Sequence, residues 1–226
     1  DEAHIERGLG RHRIAGQQQL LGAGFADFAQ QKHAHDGRQE TNFHFGVAKF
    51  SFGHGKGEVA DGGQAAAAGQ RVALVSPARK ISAAELAPAI ATLTGWGLDV
   101  VLGASVAGDH HQFAGDDALR RRDFQQQLDD PSIRAILCAR GGYGTARIVD
   151  GLDFTRFNAH PKWVAGFSDI TVLNAHLLAL GHASIHGVMP VLFHQTGGEL
   201  ALESLRRALF GEAAQPIEAP AHPLNR

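Results

Sequence analysis

Residues 71–86 read RVALVSPARKISAAEL, and the order of elements in this stretch points to an α/β protein. Four apolar residues at 72–75 stop at Ser76-Pro77, which predicts a short buried strand followed by a loop. Ser82 followed three residues later by Glu85 forms a capping box and predicts a helix that runs to about Gly95. Strand, loop and helix in this order are the repeating unit of α/β domains.

The same alternation continues along the chain. Apolar runs predict four more strands, at 98–102, 135–139, 163–166 and 183–186. Helices are predicted from Asp116 or Asp117 to about Leu128, then over 143–150, 154–158 and 169–180. Strands separated by helices favour right-handed crossovers and a parallel sheet covered on both faces. We therefore predict an open, mostly parallel, flavodoxin-like sheet flanked by helices over residues 71–195.

Two other segments differ from this domain in composition. Residues 1–70 are rich in Gly, Gln, His and Ala and show no sustained apolar period, so we predict a disordered, low-complexity segment with a linker at 53–69. A second interpretation is that this stretch is not a selected protein sequence. Its six histidines match no metal-ligand spacing. Residues 196–226 are interpreted as a truncated tail with one amphipathic helix at about 199–210.

The composition argues against several classes of function. A net charge of −2 gives no electrostatic reason to expect nucleic acid or an anionic membrane as a partner. The single cysteine, Cys138, precludes an internal disulfide and fits a reducing compartment. The first residues do not read as a secretory signal, and no apolar run approaches the roughly 18 residues of a membrane helix. We expect a soluble, cytoplasmic protein.

Three loops follow predicted strands at the edge where open parallel sheets bind their ligands. They are the loop at Ser76-Pro77, the loop RGGYG at 140–144 and the loop GFSDIT at 166–171. Glycines at 141, 142 and 144 let backbone N–H groups approach a ligand closely, although their spacing is not that of a dinucleotide or phosphate loop. Arg140 could pair with a substrate carboxylate or only cap a helix end, and the sequence leaves both possibilities open.

The loop at 166–171 carries the most specific pattern, because the chain turns there from a strand directly into a helix at Ser168. Such a turn can expose a serine hydroxyl beside the N–H groups of a helix start, where they would stabilise an oxyanion. The alternative is that Ser168 only caps the helix, with Asp169 favourable in its first turn. Ile170 stands where α/β-hydrolases have the second glycine of G-x-S-x-G.

Together these motifs resemble the LD-carboxypeptidases, a family that includes enzymes giving self-immunity to the peptide-nucleotide antibiotic microcin C. The resemblance rests on Ser76-Pro77, RGGYGTAR at 140–147, Leu152-Asp153, Pro161-Lys162, GFSDIT at 166–171 and His186-Gly187. Order and spacing match over about residues 71–195. The combination is far more specific than any one motif.

The resemblance implies a cytoplasmic serine peptidase of peptidoglycan recycling, which releases terminal D-alanine from a muropeptide tetrapeptide. Ser168 would be the nucleophile, and the backbone N–H of Asp169 would form the oxyanion hole with a glycine of the Gly141-Gly142 turn. The residues implied to contact the substrate are Ser76, Arg140, Gly141, Gly142 and His186. Neither a metal nor an organic cofactor is implied.

The same resemblance also implies that catalytic groups are missing. In the family the serine works with a glutamate and a histidine from a second, C-terminal domain, whereas 58 residues follow Ser168 here. We therefore expect an incomplete enzyme with little or no turnover, and His176 as a surface or packing residue. An uncovered docking face would favour self-association, for instance as a homodimer. The alternatives are an immunity-type peptidase and a non-catalytic domain that binds a peptide or muropeptide.

Overall fold

The computed structural model describes residues 48–49 and 63–214, and six strands in these residues form one sheet. The strands are Ala48–Lys49 (β1), Arg71–Val75 (β2), Asp99–Leu102 (β3), Ile133–Cys138 (β4), Trp163–Ala165 (β5) and Ile185–His186 (β6). Strands β2 to β6 are parallel, in the order β3-β2-β4-β5-β6, and β1 pairs antiparallel with β6. The five parallel strands thus have the flavodoxin-like order, which confirms the predicted fold class.

Five α-helices accompany the strands in the described residues. They are Ala83–Gly95 (α1), Asp117–Asp129 (α2), Thr155–Ala159 (α3), Thr171–Ala179 (α4) and Glu199–Leu209 (α5). The predicted capping box is present, because the Ser82 side chain accepts from the Glu85 N–H and Glu85 accepts from the Ser82 N–H at 2.9 Å. Asp116 caps α2 by accepting from the Leu119 N–H at 2.6 Å. None of the helices in the described residues is long and apolar enough to cross a membrane.

Alternating side chains of β2 explain why helices cover both faces of the sheet. Val72 and Leu74 point into one apolar cluster with Leu86 of α1 and Leu205 of α5. Ala73 and Val75 point into a second cluster, which contains Phe124 and Leu128 of α2 together with Leu173 and Leu177 of α4. Each central strand therefore buries both of its faces, as expected for a parallel sheet between two helical layers.

Two predicted helices differ in the structure. The helix expected over 143–150 is replaced by two 3₁₀ turns, Thr145–Arg147 and Val149–Gly151, because Gly144 has a φ of +138°, which a helix cannot contain. The helix expected from Asp169 begins instead with a 3₁₀ turn, Ser168–Ile170, and only then continues as α4. Both differences lie in loops at the carboxyl edge of the sheet, where the candidate site residues are.

The segment before Arg71 is described only in part. Most of the predicted disordered stretch, including all six of its histidines and residues 53–62 of the expected linker, lies outside the described residues. From Gly63 onward the chain lies against the domain: a β-carbon at Gly63 would clash with the backbone nitrogen of Trp163, and the Ala66 N–H donates to the Leu209 carbonyl at 2.7 Å. The described residues thus extend the packed domain several residues before the predicted boundary at 71.

Candidate active site

Ser168 occupies a strained turn between β5 and α4. Its φ is +61°, in the left-handed region that non-glycine residues seldom adopt, and its side chain is exposed. The N-cap of the 3₁₀ turn is Phe167, the N-cap of α4 is Ile170, and neither cap has a side-chain hydrogen bond. Ser168 therefore does not cap the helix. The backbone holds it as the predicted exposed serine at the start of a helix.

Asn174 ties this turn to the body of the domain. Its side-chain amide is buried and donates a hydrogen bond of 3.0 Å to the carbonyl of Gly166, the first residue after β5. The Gly166 N–H in turn donates to the Ile185 carbonyl at 3.0 Å. The position of Ser168 is thus fixed from α4 and from the neighbouring strand, and a fixed nucleophile is what an acyl-transfer site requires.

The glycine-rich loop, residues 140–145, passes directly beside the serine turn. A β-carbon at Gly141 would lie 3.3 Å from the backbone nitrogen of Asp169 and 3.4 Å from the Ser168 β-carbon. Gly142 has a φ of +120° and lies against the side chain of Arg79. The structure therefore brings together Ser168 and Asp169 of one predicted loop and the Gly141-Gly142 turn of another.

Two side chains anchor the glycine-rich loop. The Asp169 carboxylate accepts a hydrogen bond of 3.0 Å from the Thr145 N–H. Arg120, which is fully buried, donates to the carbonyls of Pro77 at 2.6 Å and Gly144 at 3.1 Å and is ion-paired with Asp117. Sequence reasoning missed Arg120, since nothing in its spacing distinguishes it from the neighbouring arginines at 121 and 122.

Two predicted substrate contacts, Ser76 and Arg140, interact with other residues of the protein. Ser76 is fully buried: its N–H donates to Ser105 Oγ at 2.8 Å, and its own Oγ has no partner among the described residues. Arg140 lies 3.4 Å from a carboxylate oxygen of Glu85, which is also part of the α1 capping box. Hydrogen bonds from Ser82, more than the charge of Arg140, hold the pKa of the Glu85 carboxyl below its ordinary value.

His186, the third predicted substrate contact, is half-buried at the end of β6. Its ring lies 6.2 Å, centroid to centroid, from the ring of Phe167, the residue before the candidate nucleophile. Burial lowers the pKa of His186, while a backbone hydrogen bond acts in the opposite direction. A lowered pKa favours the neutral imidazole near pH 7.

The other groups with nucleophile or base chemistry are placed differently. His176, expected as a packing residue, stacks on Phe154 with ring centroids 4.8 Å apart. Cys138 is fully buried at the end of β4, and burial raises the pKa of its thiol far above the ordinary value, so it is not a thiolate at neutral pH. Within the described residues no three His, Cys, Asp or Glu side chains come close enough together to hold a metal ion.

Comparison with known families gives one clear result. The family model described as the LD-carboxypeptidase N-terminal domain matches residues 72–187, which include the serine turn, the glycine-rich loop and His186. The match covers more than half of the chain and ends one residue after His186.

Two curated relatives are similar to this chain in sequence. A putative carboxypeptidase of Streptomyces coelicolor is 40% identical over 164 residues, which are 70% of this chain and 53% of that protein. A murein tetrapeptide carboxypeptidase of Pseudomonas aeruginosa is 38% identical over 118 residues, 52% of this chain and 38% of that protein. The chain thus spans about half the length of the curated relatives it matches, or less.

A solved structure agrees with the sequence matches. The crystal structure of a muramoyltetrapeptide carboxypeptidase from Oxalobacter formigenes superimposes with a TM-score of 0.56 at 26% identity, covering 62% of this chain and 47% of that chain. The similarity therefore includes the three-dimensional arrangement of the sheet and its flanking helices.

Proposed function

This chain belongs to the LD-carboxypeptidase family, and on that premise we propose that it carries the nucleophile and the oxyanion hole of a serine-type carboxypeptidase acting on muropeptides. The observation that carries the proposal is the exposed Ser168 at φ +61°, directly beside Gly141 and the Asp169 nitrogen. A serine that served only as a helix cap would not need a strained backbone, and backbone strain of this kind is concentrated at functional sites.

The reaction proceeds by acyl transfer. Ser168 Oγ attacks the carbonyl carbon of the bond between the L-centre of the diamino acid and the terminal D-alanine, and its proton passes to a general base. The developing oxyanion accepts hydrogen bonds from the Asp169 N–H and from an N–H of the Gly141-Gly142 turn. The C–N bond then breaks, the D-alanine amine takes the proton back from the base, and water hydrolyses the acyl-enzyme.

A serine hydroxyl needs a positioned base to be a good nucleophile at neutral pH. His176 is stacked on Phe154, and His186 lies against Phe167. We assign the base to the glutamate and histidine that the family resemblance places in a second, C-terminal domain. The 226 residues alone should then turn over slowly, and a small soluble base such as imidazole should accelerate their reaction.

In this proposal Arg140, at the start of the glycine-rich loop, binds the substrate carboxylate. Arg140 is the cation nearest along the chain to Gly141, and it is partly exposed, with 28% of its side chain accessible. Its present partner, the Glu85 carboxylate, is held at the long distance of 3.4 Å. The terminal carboxylate of D-alanine could replace Glu85 with a bidentate pair, which is the geometry that a guanidinium binds best. His186 would add a further contact, whereas Ser76, which is inaccessible to solvent, could not reach the substrate without a change in its surroundings.

Release of D-alanine from a murein tetrapeptide tests this function. The protein is incubated with the tetrapeptide in the presence of imidazole, and free alanine is measured by mass spectrometry. The matched control is the same peptide ending in L-alanine. We expect release from the D-isomer only. Tight binding of the tetrapeptide without any release would instead identify a peptide-binding domain, and the expected cytoplasmic peptidase role would be wrong.

A further inference from the structure

We propose that the side-chain carboxylate of Asp169 is a positioning residue, which fixes the glycine-rich loop at its working distance from Ser168. The role is separate from that of the Asp169 backbone N–H in the oxyanion hole. Its effect on rate rests on the proposed function, whereas its effect on the loop does not. One peptide group of the loop is held at both its N–H and its carbonyl by side chains from outside the loop.

That group is the peptide bond between Gly144 and Thr145. Its N–H donates to the Asp169 carboxylate at 3.0 Å, and its carbonyl accepts from Arg120 Nη1 at 3.1 Å. Both bonds involve an ionised side chain, and charge-assisted hydrogen bonds are about twice as strong as neutral ones. The orientation of this peptide bond, and with it the end of the glycine-rich loop, is therefore set by two side chains from outside the loop.

Arg120 is a rigid support for the glycine-rich loop. Its guanidinium is inaccessible to solvent and also donates to the carbonyls of Pro77 at 2.6 Å and Gly115 at 3.3 Å. Burial lowers the pKa of Arg120, and the negative charges of Asp117 and Asp169 act against that shift. A buried arginine with several carbonyl acceptors has little freedom to move, so the loop attached to it is held in the same place.

Asp169 connects the loop held by Arg120 to the proposed nucleophile, because it is the residue directly after Ser168. Its backbone nitrogen faces Gly141 across a gap that would place a β-carbon at 3.3 Å. Its carboxylate holds the far end of the same loop at Thr145. One residue thus touches the loop at its beginning and its end. A displacement of about 1 Å between two reacting groups can cost on the order of 100-fold in rate, so this double contact matters for catalysis.

The test compares Asp169→Ala, which removes the acceptor, with Asp169→Asn, which keeps a neutral one. Hydrogen exchange at the Thr145 amide shows directly whether its hydrogen bond to Asp169 holds the loop, and imidazole-supported release of D-alanine measures the rate. We expect Asp169→Ala to lose protection at Thr145 and to lower the rate by roughly 10- to 100-fold. The affinity for the tetrapeptide should change by no more than about twofold, because the hydrogen bond between Asp169 and Thr145 positions the oxyanion hole and does not contribute to ground-state binding.

Asp153→Ala is the matched control. Asp153 also accepts from a threonine N–H, that of Thr155 at 2.8 Å, but it does so at the start of α3. Its loss should leave both the Thr145 exchange and the release rate unchanged. If Asp169→Ala does not fold, Asp169→Asn tests the proposal instead. We expect the protection of the Thr145 amide and the rate of D-alanine release each to decrease about threefold, because the neutral acceptor is weaker.

Unchanged exchange at Thr145 in the Asp169 variants would overturn the proposal, and so would an unchanged rate. A parallel loss of affinity and rate would show general loosening of the site and would overturn it as well. If the unmodified protein releases no D-alanine, the proposed function fails, but the exchange measurement still decides whether Asp169 holds the loop.

Discussion

The backbone nitrogen of Asp169 and the α-carbon of Gly141 face each other so closely that a β-carbon on Gly141 would lie 3.3 Å from that nitrogen. The two residues come from different loops, one after β5 and the other after β4. In the proposed mechanism, an oxyanion formed at Ser168 lies in the space between them. A glycine at position 141 leaves that space open.

Replacement of Gly141 by alanine should therefore reduce catalysis more than stability. The added methyl group would occupy the proposed oxyanion position, and loss of one oxyanion donor typically costs on the order of 100-fold in rate. The measurement is imidazole-supported release of D-alanine, together with urea unfolding. Gly95→Ala is the control, because a β-carbon there meets nothing within 4 Å. An unchanged rate in Gly141→Ala would argue against an oxyanion hole at this place.

Arg140 and Glu85 give a prediction about substrate affinity. Glu85→Gln keeps the side-chain acceptor of the capping box but removes the charge that lies 3.4 Å from Arg140. The substrate carboxylate would then bind without displacing a competing anion. We expect the variant to bind the tetrapeptide a few-fold more tightly and Arg140→Ala to bind it about tenfold more weakly, in calorimetric titrations. Equal affinities in all three proteins would show that Arg140 only supports α1.

The start of α1 gives a prediction about stability. Ser82→Ala removes the oxygen that accepts from the Glu85 N–H at 3.2 Å, and it should lower the free energy of unfolding by about 1 kcal/mol. Ser82→Asp keeps a capping oxygen and should remain close to the unmodified protein. Urea unfolding of the three proteins measures the difference. Equal losses in both variants would mean that the hydroxyl has another role.

Lys162 gives a prediction about pH. It is buried, donates to the carbonyls of Gln127 at 2.8 Å and Asp130 at 2.6 Å, and burial lowers its pKa to about 8 from an ordinary 10.5. Between these two values the unfolded chain binds more protons than the folded chain, so stability increases with pH. Below pH 8 the folded protein bears the full cost of the buried charge, about 3 kcal/mol at most.

The measurement is the free energy of unfolding of the unmodified protein minus that of Lys162→Met, from pH 7 upward. Subtraction removes the titration of all other groups. We expect the difference to increase through the interval from pH 8 to 10.5. A difference that stays level or decreases would show that the two carbonyls stabilise the ammonium enough to cancel the effect of burial.

The sequence was sufficient to predict the five parallel strands because its signals are local, whereas β1 at Ala48–Lys49 lies in the segment predicted to be disordered and was missed. The apolar run at 72–75 and the capping box at Ser82 and Glu85 each specify an element within a few residues, and both are confirmed. The serine turn was one of two alternatives left open by the sequence, and the φ of +61° at Ser168, with no capping hydrogen bond, decides against a simple helix cap.

The support of the site was not predictable from local signals. Arg120 is held by carbonyls of Pro77, Gly115 and Gly144, which come from three different loops. Only the folded chain brings those carbonyls together, so no spacing along the sequence identifies Arg120 as buried. The predicted helix over 143–150 failed for a related reason. Its apolar and polar spacing is compatible with a helix, but the Gly144-Thr145 peptide bond is fixed in another orientation by Asp169 and Arg120.

The most direct test of the central claim is the effect of Ser168→Ala on imidazole-supported release of D-alanine from a murein tetrapeptide. If Ser168 is the nucleophile and lacks only a base, imidazole should accelerate release by the unmodified protein and have no effect on Ser168→Ala, while both proteins bind the peptide with similar affinity. The same acceleration in both proteins would contradict the account, and so would the absence of any acceleration in the unmodified protein.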